Sequence, residues 1–77
     1  MKTGILKIIR EVSVADGHLT LLVFRSKDGP HLATAETHLI NKAFKDAFGH
    51  KDLAVGQNFA YGVDPKGMLI AFEPIAM

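Results

Sequence analysis

A chain of 77 residues and 8.4 kDa is read as one domain, residues 1–77, because chains divide into several only well above ~250 residues. Nine Lys and Arg against eight Asp and Glu leave a net charge of +1, with no half of the chain forming a basic tail. A function carried by a broad cationic surface is therefore excluded, and zero cysteines exclude disulfides, zinc fingers, iron–sulfur sites and thiol catalysis.

The N-terminal stretch is interrupted by Lys7, Arg10 and Glu11, which breaks the apolar core that a signal peptide requires. The longest uncharged run, Leu53 to Val63, is too short for the ~20 residues of a membrane helix. The expectation is a soluble cytoplasmic protein without a membrane partner. Hydrophobic residues nevertheless make up 48% of the chain, which predicts that a second copy or a protein partner covers part of the surface.

Two β-rich runs, Ile5 to Val14 and His18 to Ser26, flank Asp16-Gly17, a dipeptide suited to a two-residue hairpin turn because both residues tolerate positive φ. That turn pairs Val14 with Leu19, Val12 with Leu21 and Arg10 with Val23. One face is then apolar, with Ile8, Val12, Val14, Leu19, Leu21 and Val23, and is the expected core side. The opposite face sets Ile5, Lys7, Ile9, Glu11 and Ser13 against His18, Thr20, Leu22, Phe24 and Ser26, a mixture of cation, imidazole, hydroxyl and apolar groups.

Lys27-Asp28-Gly29-Pro30 breaks the chain, and His31 to Glu36 offers a short third strand. The period then changes. Leu39, Ile40, Ala43, Phe44, Ala47 and Phe48 recur at helical spacing, with Thr37 in the N-cap position and Gly49 just past the end. Beyond it, Phe59 to Val63 and Met68 to Phe72 form a second hairpin around Asp64-Pro65-Lys66-Gly67. The register read from side-chain size stacks Phe59, Tyr61 and Val63 on Phe72, Ile70 and Met68. The fold class is mostly β with one helix: an OB-like small barrel of two hairpins and a short third strand, with the amphipathic helix between them. The alternative is an α+β arrangement, an antiparallel ββαββ sheet packed on one helix.

Several short motifs, Thr3-Gly4-Ile5-Leu6-Lys7-Ile8-Ile9, Asp28-Gly29-Pro30, Leu53-Ala54-Val55-Gly56-Gln57-Asn58-Phe59 and Pro65-Lys66-Gly67 with Ala71, occur in this order along the chain. Together they resemble cold-shock domains, which implies a small barrel that binds single-stranded nucleic acid on exposed aromatic rings. The ribonucleoprotein motifs of that family are degraded here. The first would fall on Asp16-Gly17-His18-Leu19-Thr20-Leu21, where only His18 keeps a flat ring. The second would fall near Pro30-His31-Leu32-Ala33-Thr34, where only His31 does, and the helix is longer than the turn the family has at that place.

The candidate ligand face is the mixed side of the first hairpin: Lys7, Ile9, His18, Thr20, Leu22 and Phe24. There Phe24 and His18 would stack on bases and Lys7 would meet phosphate. The competing reading has Ile9, Leu22 and Phe24 packing under the helix or against a second subunit. Lys42, Lys45 and Lys51 would extend a basic rim, but Asp46 and Asp52 lie among them, as on an ordinary solvated helix surface. His18, His31, His38 and His50 show no metal-ligand spacing, and no nucleophile elbow, P-loop or dinucleotide motif is present. A non-enzymatic binding module without cofactor or metal is therefore expected, with single-stranded DNA or RNA as its ligand. The alternative is a protein-interaction or homo-oligomeric module using the same face.

Overall fold

The structure, a computed structural model, describes residues 2–75, without the side chains of Lys51 and Asp52. Five strands, β1 (Lys2–Val14), β2 (Gly17–Ser26), β3 (Gly29–Glu36), β4 (Asn58–Val63) and β5 (Leu69–Pro74), surround one helix, α1 (Thr37–Phe48), and a 3₁₀ turn at Lys51–Ala54. The fold is mostly β with one helix, and the third strand is a full eight residues long. All ladders are antiparallel, in the order β3-β2-β1-β4-β5. The sheet is not closed. It rolls far enough for its two edge strands to touch at one place, a parallel bridge between Thr34 and Met68, with the Thr34 N–H donating to the Gly67 carbonyl at 3.0 Å.

The first hairpin differs from the sequence-based register by two residues. Val14 pairs with Gly17, Val12 with Leu19 and Arg10 with Leu21. Gly17 has φ +142, and among the described residues none other than glycine takes a positive φ. The turn therefore runs through Ala15 and Asp16 with glycine following it, because glycine alone takes this backbone without strain. A two-residue shift leaves each side chain on its predicted face. A bulge between Leu6 and Ile8 does change faces: it turns Leu6 inward and leaves Ile5 on the outer side, opposite Arg25.

The second hairpin is also shifted, with Tyr61 opposite Phe72 and a bulge between the Gly62–Ala71 and Val63–Leu69 pairs. Phe59, Tyr61, Val63 and Phe72 face the core as expected, but Leu69 packs beside them in the place expected of Ile70, which is exposed. The Asp64 carboxylate shapes the turn, with its Oδ1 accepting from the backbone N–H groups of Lys66 and Met68, each at 2.9 Å.

Helix α1 spans the predicted residues and buries Ile40 and Phe44. Gly49 ends it at φ 84, its N–H donating to the Lys45 carbonyl at 2.7 Å. The predicted N-cap is corrected: Glu36 holds that position without a side-chain cap, and Thr37 is the first helical residue. The Thr37 hydroxyl is engaged elsewhere, sharing a buried hydrogen bond of 2.9 Å with the Thr20 hydroxyl.

All five Phe and the one Tyr of the chain join one interior cluster. Phe24 stacks on Tyr61 with ring centroids 4.1 Å apart and meets Phe59 edge-on. Phe44 reaches Phe59, Phe72 and Phe48 from the helix. Large flat rings that bury ~150–250 Å² each explain how so short a chain assembles a core.

Candidate functional site

The sheet has two faces of different chemistry, and they are assigned opposite to the sequence-based expectation. Thr20, Leu22 and Phe24, expected to present themselves to a ligand, are 0–1% exposed and belong to the core. Ile9 is half-buried against that core. His18 is exposed near the turn, its Nδ1 3.4 Å from the Ser13 hydroxyl, and Lys7 is exposed at the bulge. The six residues thus form no accessible ligand face. The competing reading, with Leu22 and Phe24 packed inside, describes their position. The physical reason is the demand for ring partners: Phe59, Tyr61 and Phe44 already face inward, and Phe24 completes their cluster as Val12 or Val23 would not.

The expected core face is the outer face. Across the three strands it reads Ile8, Val23, Leu32 in one row, Arg10, Leu21, Thr34 in the next, and Val12, Leu19, Glu36 in the third. Ile8 is 48% and Leu32 62% exposed, Val14 adds an exposed side chain beyond the third row, and the remaining aliphatics are half-buried by one another. A sheet face turned to water ordinarily carries polar residues at these alternate positions. Here the polar residues are Arg10 on one side of the patch and Thr34 and Glu36 on the other. Leu32 escaped the sequence reading because its strand was assigned no facing.

The remaining expected features are dispersed. Lys42 and Lys45 are exposed along α1 with Asp46 among them, while the side chains of Lys51 and Asp52 lie outside the described residues. Among the described residues, no three His, Asp or Glu side chains gather as a metal site requires, and no helix is long and apolar enough to cross a membrane. On the inner side, Tyr61 carries a perturbed ionisable group. Burial raises its pKa above the ordinary 10.0, since an apolar surrounding disfavours the phenolate. Its hydroxyl lies 3.1 Å from Nδ1 of His31.

Comparison with known protein families, curated proteins and solved structures finds no match to this chain.

Proposed function

We propose that this protein is a non-enzymatic interaction module that associates with protein, a second copy of itself first, through the outer face of β1, β2 and β3. One observation carries this reading: a contiguous aliphatic surface centred on Ile8, Leu21, Val23 and Leu32 occupies the solvent side of the sheet. The nucleic-acid reading loses support because stacking needs exposed rings, each worth about 1–3 kcal/mol per base, whereas Phe24, Phe44, Phe59 and Tyr61 are buried and Phe48 and Phe72 are half-buried against them.

The face suits self-association. A two-fold axis along β2 lays β1 of one copy over β3 of the other, which brings the Arg10 side of each patch toward the Glu36 side of its mate. Three strands about 4.8 Å apart and about eight residues long present a footprint of roughly 400 Å² per copy, at the small end for a specific interface. The complex is accordingly weak and concentration-dependent.

Sedimentation equilibrium over a dilution series tests this reading. Dimer is expected to accumulate in the range of about 10–500 μM, and Leu21→Lys is expected to abolish it without unfolding the protein. A mass of 8.4 kDa maintained into the millimolar range rejects self-association. A dimer left intact by Leu21→Lys rejects this face.

A further inference from the structure

A second surface, which adjoins the aliphatic face at one end of the sheet through Ile5 and Arg25, concentrates charge. At the end of the sheet that holds the β2–β3 turn, the start of β1, the end of β2 and the start of β4 enclose an open cleft of about 770 Å³. Lys2, Arg25 and Lys27 line it, and Asp28 is its one acid. Three cations against one carboxylate leave an excess of two positive charges. The whole chain carries +1, so the remainder of the molecule is slightly acidic and the cleft holds the cationic character of the protein. Among the described residues, no ion pair joins Lys2, Arg25 or Lys27 to a carboxylate.

Polar side chains complete the lining. Thr3 contributes a hydroxyl, Asn58 an amide and His31 an imidazole, whose ring is held by a hydrogen bond of 3.1 Å between Nδ1 and the Tyr61 hydroxyl. Gly4 allows β1 to lie close against β2 here: a Cβ would lie 3.1 Å from the Arg25 carbonyl oxygen and 3.2 Å from Phe24 Cβ.

We infer that this cleft is a binding site for a phosphoryl group, with Arg25 supplying a bidentate fork and Lys2 and Lys27 neutralising the dianion. The local excess of two charges matches a phosphate dianion better than a single carboxylate, and the planar guanidinium fits two oxygens of one phosphoryl group. The group is carried either on a small molecule or in a polymer backbone, and the two sources are separable.

The test is an amide chemical-shift titration with pyrophosphate at constant ionic strength, repeated with a short single-stranded oligothymidylate. Saturable shifts confined to residues 2–5, 25–28, 31 and 58 are expected. Arg25→Gln and Lys27→Gln should each weaken binding about tenfold or more, while Lys45→Gln on the helix should match the parent. Tighter binding of the oligonucleotide assigns the group to a polymer backbone, and tighter binding of pyrophosphate assigns it to a free ligand; both support the site. Shifts that fail to saturate with either probe by about 10 mM, the scale of non-specific charge contact, overturn it. Equal losses in Arg25→Gln and Lys45→Gln, with the melting temperatures of both unchanged, overturn it as well.

Discussion

Phe24 and Val23 are neighbours on β2, yet the first is stacked inside an aromatic cluster and the second lies on an aliphatic outer surface. Both sides of the first hairpin are hydrophobic enough to serve as a core, so apolarity alone does not decide between them. Ring geometry does. The inner side holds the group that can complete a cluster with Phe44, Phe59 and Tyr61, and the outer side holds branched aliphatics that pack in flat layers. A core chosen by shape leaves the other apolar face available to a partner.

Substitutions on the two sides should therefore behave differently. The largest effect is expected at the cluster. Phe44→Ala and Phe24→Ala should each cost about 3–5 kcal/mol, most of what a domain of this size has, and urea or thermal denaturation reads the loss directly. Val23→Ala, on the same strand as Phe24, should cost about 1 kcal/mol or less. Near-equal losses at positions 23 and 24 would remove the distinction between the faces.

Next in size is the polar pair beneath the helix. Thr20→Val leaves the Thr37 hydroxyl buried without its partner, at about 1–3 kcal/mol. The double variant Thr20→Val/Thr37→Val should recover part of that loss, because both polar groups are then gone. Additive losses in the cycle would show that the two hydroxyls do not depend on each other.

A smaller effect is expected at Tyr61, where Tyr61→Phe removes the hydrogen bond to His31 for about 0.5–1.5 kcal/mol. It should also change the alkaline behaviour. The phenol titrates near 10 when unfolded and higher when buried, so the stability it contributes is complete below pH about 10 and falls as pH rises through the folded value. The stability gap between the parent and Tyr61→Phe should stay constant below pH about 10 and narrow in that alkaline range, where only the parent loses stability. The smallest effect on stability is expected outside. Leu32→Lys should stay within about 0.5 kcal/mol of the parent while shifting the sedimentation equilibrium toward monomer.

Element order, helix limits and, to within one residue, turn positions were legible because they depend on local chemistry: the 3.6-residue period of Ile40, Phe44 and Phe48, the left-handed Gly49, and the Asp64 carboxylate that closes its own turn. Facing was not legible in β1 and β2. Alternation divides a strand into two sides but does not say which is inner when both are apolar, and that choice depends on rings contributed some twenty to forty residues later by Phe44, Phe59 and Tyr61. The bulges near Lys7 and Ile70 were equally hidden, because each satisfies the sheet's curvature and no local residue marks it. The cationic cleft escaped for the same reason. Lys2, Arg25 and Asn58 are far apart in the chain, and the rolled sheet brings them together.

The contact between Thr34 and Met68 joins the two edges of the sheet. Besides the backbone bond to Gly67, the Thr34 hydroxyl lies 3.4 Å from the same carbonyl and 3.0 Å from the Met68 sulfur. This contact works as a clasp on a rolled strip, and it spans a chain separation of 33 to 34 residues while the ladders on either side are already paired within their own hairpins. Closing it brings in little additional apolar area, so it should form last in folding and release first. The Thr34 amide should accordingly exchange with solvent hydrogen faster than the amides of Leu22 or Tyr61, reporting a breathing motion in which the roll loosens while the aromatic cluster stays intact.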